Sequence, residues 1–186
     1  MLHLDIAGAL AKAITPAMGV ASQEMTELRT SMKRYTEDWL SERSRGEHGW
    51  SMNPYDREAV SRMKEMAMLA KGRDIRTVLW IGIGGSGLGP RVLQEVFETP
   101  TSVEFVVIDT IDPAVLRTLL EAIEWKHTLI VVVSKSGDTM ETMTAFALCY
   151  ERMRQSKKVR PAQHVVAITD PEKGKLRDFC MEQGLP

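Results

Sequence analysis

Four short apolar runs recur along the chain, at residues 78–83, 103–108, 128–133 and 164–169, and no other feature restricts the fold as tightly. Each is too short for a stable helix and carries the β-branched content of a strand buried on both faces. Helix-length segments lie between and after them, at 90–97, 113–123, 140–153 and 176–183. Strands alternating with helices predict an α/β fold, a parallel sheet flanked by helices through right-handed crossovers. Ligands of such sheets bind beyond the carboxyl ends of the strands, near the point where the strand order reverses.

Residues 1–72 read differently, as a helical N-terminal arm preceding a domain over 73–186. A short helix over 5–13 is expected to stop near Pro16 and Gly19. From residue 22 to about 45 the apolar residues Met25, Leu28, Met32, Tyr35 and Trp39 alternate at spacings of three and four, one narrow seam on a long helix. That seam packs on its own domain, or on a partner or further chain. Residues 44–50 read as a loop. Asn53-Pro54 reads as a helix start, with Asn53 as N-cap, Val60, Met63, Met66, Ala67 and Ala70 as the buried face, and Gly72 as the stop.

Composition excludes several classes. The formal net charge of the 186 residues is −1, which offers no electrostatic footprint for nucleic acid and no polybasic membrane patch. Apolar runs such as 129–133 are far too short to span a bilayer, and the N-terminus lacks the positive cluster of a signal peptide, so a cytoplasmic protein is expected. Cys149 and Cys180 are isolated and read as reduced, partly buried thiols. The four histidines, His3, His48, His127 and His164, show no ligand spacing. No metal and no cofactor are expected.

The first run ends in Gly82, Gly84, Gly85 and Gly87, with Ser86 among them and Pro90 following as a first-turn helix residue. Strand, glycine turn, helix is a way to aim bare backbone N–H groups at an anion. Residues 82–87 also satisfy G-x-G-x-x-G, and Asp109 ends the next run where a ribose-binding acid would stand. The dinucleotide reading is therefore serious. Against it stand some 75 preceding residues, the early proline, and a second anion-type loop that a dinucleotide fold does not need.

That second loop follows the third run: Ser134, Lys135, Ser136, Gly137, Asp138, Thr139, Met140, Glu141 and Thr142. It combines hydroxyls, one ammonium and the N–H groups of a helix start, the mixture a phosphate dianion requires. Hydroxyls also cap helices, but a cap needs only one of them.

The segments IGIGGSGLGP and VVVSKSGDTMET together resemble the two signature segments of the glucose-6-phosphate isomerase family, and VAITDPEKGKL and the helical arm are similar to it as well. The resemblance covers the chain from about residue 20. It implies a sugar-isomerase (SIS) domain, and an enzyme of glycolysis and gluconeogenesis that interconverts glucose 6-phosphate and fructose 6-phosphate. By position, Ser134, Ser136, Thr139 and Thr142 would hold the sugar phosphate, with Lys135 supplying backbone and charge. Gly85 and Ser86 would contact the sugar or phosphate, and Glu141 would lie near the bound sugar. A homodimer is the assembly the resemblance allows. A non-catalytic SIS protein that senses phosphosugars shares the fold and the serine-rich loop and stays open as an alternative.

Two departures matter. Asp138 stands where members of the family carry Thr, and a carboxylate beside a dianion would cost a few kcal/mol, roughly, if both were poorly solvated. The expectation is that Asp138 faces away, perhaps to cap the helix that follows. The family's catalytic glutamate, histidine, lysine and arginine lie after the segment present here. The chain is therefore expected to be the N-terminal phosphosugar-binding part of a larger isomerase, with no catalytic residue of its own and no turnover in isolation.

Overall fold

The computed structural model describes residues 5–15, 17–97, 99, 103–156 and 159–186. Pro16, the expected stop of the first helix, and His3 lie outside them. The chain divides into two compact units, Met1–Ser61 and Arg62–Pro186.

In the first unit, the expected helix over 5–13 is reduced to a 3-10 turn at Ala7–Ala9. The backbone there is committed elsewhere: Ala11 N–H donates to Val20 C=O at 2.9 Å and Val20 N–H to Ala9 C=O at 2.9 Å, which ties this stretch to residue 20. Helix α1 spans Ser22–Ser44, opened by Glu24, whose carboxylate accepts the Ala21 N–H at 2.7 Å. Its seam is open in the middle, with Leu28, Met32 and Tyr35 between 46% and 63% exposed, whereas Met25 and Trp39 at its ends are half-buried. The loop that follows includes a 3-10 helix over Gly49–Tyr55, and Pro54 sits inside it. Helix α2, Arg57–Lys71, runs across the division between the units. It is capped by Asp56, not Asn53: the Asp56 carboxylate accepts the Ala59 N–H at 2.9 Å. Pro54 is spent in the 3-10 turn, so the α-helical start shifts to the next side chain able to reach back. Of the predicted α2 face, Met66 and Ala70 are half-buried, whereas Val60, Met63 and Ala67 are exposed.

The second unit contains strands β1 (Thr77–Ile81), β2 (Glu104–Ile108), β3 (Thr128–Ser134) and β4 (Val165–Thr169), all parallel, in the order β2-β1-β3-β4. Helices α3 (Gly85–Phe97), α4 (Pro113–Ala122), α5 (Met140–Gln155), the single turn α6 (Pro161–His164) and α7 (Lys175–Gln183) connect and follow them. Asp112 caps α4 as its Asp-Pro pair predicts, accepting from Ala114 N–H at 2.8 Å and Val115 N–H at 3.1 Å. Leu79, Ile81, Ile130 and Val132 from the sheet meet Leu116 of α4, Phe146, Cys149 and Met153 of α5, and Leu176 and Cys180 of α7 in one core. Only β3 is close to the expectation of strands buried on both faces. The other face of β1 and β2 carries Trp80 and Phe105, half-buried against α3.

The sheet order decides where a ligand can sit. The chain leaves β1 toward β2 on one side, then returns across the sheet to β3 on the other. The crevice between the carboxyl ends of β1 and β3 is the topological switch point.

Candidate functional site

Both sequence-marked loops open at that crevice. Ile81, the last residue of β1, is in register with Val132, two residues before Ser134 at the end of β3. The glycine turn and the hydroxyl loop therefore leave neighbouring strands at the same end of the sheet.

The first loop is shaped by close backbone approach. Gly84 has φ +59°, and a Cβ on Gly87 would collide with the Gly82 carbonyl, so α3 can lie this near β1 only with glycine there. Gly85 is the first residue of α3 and is exposed; a Cβ there would meet nothing within 4 Å. Its N–H and that of Gly84 donate to no group among the described residues. Ser86 is half-buried, and its own N–H is used on Ile83 C=O at 3.3 Å. The helix starts at Gly85, well ahead of Pro90, which corrects the first-turn expectation. Pro90 has no N–H to give to Ser86 C=O, the acceptor one helical turn back. The Trp80 indole donates to that oxygen instead, at 2.7 Å.

In the second loop Ser134 is buried, with Oγ 3.2 Å from Thr139 Oγ1, and it accepts the Gly137 N–H at 3.1 Å. Ser136 is exposed, and its Oγ accepts the Asp138 N–H at 3.2 Å. Thr139 is the N-cap residue of α5, yet its side chain makes no capping bond. The hydroxyls are thus held to one another and to the loop rather than consumed by the helix end, which leaves the α5 N-terminus and its partial positive charge open. Lys135 and Glu141 are exposed beside them. Thr142 is different: it stands in the first turn of α5 but is 1% exposed, and the structure does not bring it to the surface with the others.

Asp138 is turned to another element. Its Oδ1 accepts the Lys175 N–H at 3.2 Å, at the start of α7, and not a donor of α5 as the capping expectation had it. The reason is the packing of this loop on the β4–α7 loop. Gly137 C=O accepts the Leu176 N–H at 3.0 Å, and Gly137 (φ +73°) and Gly174 (φ +103°) lie against each other. Asp170 holds the far side of that turn, accepting from the N–H groups of Glu172 at 2.9 Å and Lys173 at 3.2 Å. The Glu172 bond, with the Lys173 bond behind it, holds the Asp170 carboxyl below its ordinary range. Reading the sequence alone missed this third loop as part of the site. Its signal was a glycine just before a helix start, in the stretch that had already resembled a known family.

Asp109, the ribose candidate of the dinucleotide reading, is paired with Arg91 of α3 at 2.9 Å. Among the described residues no group of His, Cys, Asp and Glu could hold a metal ion, and no helix is long and apolar enough to cross a membrane. A groove of about 850 Å³ lies away from both loops, against the amino ends of β1 and β2. It is lined by α4 and carries none of the loop chemistry.

The family model for phosphoglucose isomerase matches residues 58–183. A glucose-6-phosphate isomerase of Thermus thermophilus is 32% identical over 137 residues, 74% of this chain and 32% of that protein. A probable glucose-6-phosphate isomerase of Haloarcula marismortui is 32% identical over 187 residues, 100% of this chain and 41% of its own length. Among solved structures, a hypothetical protein of Thermus thermophilus superposes over 100% of the chain and 42% of its own, with TM-score 0.79 and 27% identity. A glucose-6-phosphate isomerase of Chlamydia trachomatis superposes over 68% of the chain and 25% of its own, with TM-score 0.60 and 30% identity. The chain thus spans well under half the length of these relatives.

Proposed function

The chain belongs to the phosphoglucose isomerase family, and on that premise we propose that it is the phosphosugar-binding part of a cytoplasmic glucose-6-phosphate isomerase. The observation that carries this reading is the Ser134–Thr139 hydroxyl pair, set at the switch point beside a helix end that neither side chain caps. A phosphate dianion is the ligand such a cradle suits: the hydroxyls donate, and the α5 N-terminus supplies oriented N–H groups. Ser136 and Lys135 complete the phosphate side. The exposed Gly84–Gly85 backbone and Ser86 form the opposite wall, where a sugar ring can approach N–H groups without a Cβ in the way.

In the complete reaction a base moves a proton between adjacent sugar carbons while positive charge stabilises the enediolate. On this reading residues 73–186 anchor the phosphate and orient the sugar, residues 1–72 form a helical arm, and the proton-transfer groups belong to further chain. The assembly is a homodimer. Asp109 is already engaged by Arg91, which speaks against a dinucleotide ribose at that position.

Calorimetric titration of the purified chain with 6-phosphogluconate, glucose 6-phosphate and NAD(H) tests the proposal. Saturable binding of the sugar phosphates without NAD(H) binding is expected, with no conversion of glucose 6-phosphate to fructose 6-phosphate. Binding of NAD(H) alone would overturn the ligand class. Turnover by the 186-residue chain would overturn the division between binding and catalysis.

A further inference from the structure

Thr169, the last residue of β4, has a buried Oγ1 with no hydrogen-bond partner among the described residues. A buried hydroxyl without a partner costs free energy in that state, and a second state of the molecule that uses it would account for its presence. Its surroundings say which state. Thr169 is in register with Ser134. Its Oγ1 lies 3.0 Å from where a Cβ on Gly137 would stand, so it sits against the residue that ties the second loop to Ser134. The Ser136 carbonyl, one residue earlier, accepts no hydrogen bond among the described residues either, and it fills the place a Cβ on Gly174 would need. An unmet donor and a carbonyl with no protein partner among the described residues therefore lie on either side of the Gly137–Gly174 contact, and the intervening peptide is bounded by a glycine of positive φ that can rotate.

We propose that Thr169 is a positioning residue for the phosphate-bound form of this loop, donating its hydroxyl to the Ser136 carbonyl when the Ser136–Gly137 peptide turns toward a bound oxyanion. The inference rests on the phosphosugar reading of the site. In the free protein Ser134 Oγ is occupied by Gly137 N–H and Thr139 Oγ1. A phosphate oxygen accepts the Ser134 and Thr139 protons and offers the Gly137 N–H a charged acceptor in place of the Ser134 oxygens it uses in the free protein. The peptide then rotates, and the Thr169 hydroxyl captures the carbonyl it exposes. Phosphate selects this arrangement because only there does it gain the Gly137 N–H besides the hydroxyls and the α5 N-terminus, which is the differential affinity a population shift requires.

A merely structural threonine would behave differently. Thr169→Val keeps the shape and removes the hydroxyl, so the ligand-free midpoint of thermal unfolding stays level or rises. Affinity for 6-phosphogluconate by calorimetry falls about fivefold or more, the worth of one hydrogen bond. Thr169→Ser restores that affinity. A lower ligand-free midpoint in Thr169→Val would mean the hydroxyl is already satisfied in the free protein and overturns the inference. So does wild-type affinity in Thr169→Val, or failure of Thr169→Ser to restore binding. If the wild-type chain binds no 6-phosphogluconate, the phosphosugar reading itself fails and takes this inference with it.

Discussion

Ser134 is held within its loop and is also proposed to hold the ligand. Its Oγ holds Gly137 N–H in the free protein, but that N–H also reaches Ser134 C=O at 3.2 Å. Removing the hydroxyl therefore does not orphan the loop. Ser134→Ala is expected to leave the unfolding midpoint nearly unchanged and to weaken 6-phosphogluconate binding roughly tenfold or more, the range for a hydrogen bond to a charged group. Equal affinity of mutant and wild type in calorimetry would remove Ser134 from the site. Residue types grouped Ser134, Ser136 and Thr139 as one candidate anion loop, and the structure keeps their side chains in that loop. Thr142 looked identical in the sequence, and only the helical turn that buries it sets it apart. Thr169 carried no local signal, because its place beside Gly137 depends on how β4 is registered against β3.

At the scale of elements, α3 and α7 each begin in a way that a distant side chain explains. Pro90 frees the Ser86 carbonyl and Trp80 of β1 occupies it. Trp80→Phe should cost about 1–3 kcal/mol in urea denaturation, the penalty of an orphaned acceptor plus a lost bond. In a Pro90→Ala background it should cost clearly less, because the alanine brings an N–H to the same oxygen. Additive losses in that double-mutant cycle would show that the indole and the missing N–H do not share the acceptor. For α7, Asp138 accepts the first helical N–H. Asp138→Thr should therefore lower stability by about 0.5–2 kcal/mol, as lost caps do, while sugar-phosphate affinity stays within about tenfold. A larger gain in affinity would mean the carboxylate repels the dianion after all. Both helices were legible in the sequence but not their first residues, since glycine propensity argues against the α3 start that tertiary contacts support.

The molecule as a whole protects its thiols. Cys149 has no exposed surface in the core under α5, and burial pushes its thiol up to about 12. Cys180 is also buried, and burial raises its thiol too. The native chain should react slowly with a maleimide at about pH 8 and rapidly once unfolded in guanidinium, because only the thiolate attacks. Fast native labelling at Cys149 would contradict this core. The linkage has a definite sign. The folded value lies above the ordinary 9.0, so this thiol's contribution to stability is complete below about pH 9 and is lost as pH rises toward 12.

Local pattern in the chain set the alternation of strand and helix, the parallel sheet, the two loops proposed to face a ligand, and the family to which they point. Apolar period, glycine placement and clustered hydroxyls all survive in one dimension, which is why they could be read there. That the loops share one crevice was settled in three dimensions, because it depends on the order β2-β1-β3-β4. So were the service of Asp138 to α7, the hold of Arg91 on Asp109, and the packing of the β4–α7 turn under the second loop. Each of those pairs groups far apart along the chain, and a hydrogen bond or a glycine contact of about 3 Å is set by how the elements stack, which no local pattern records.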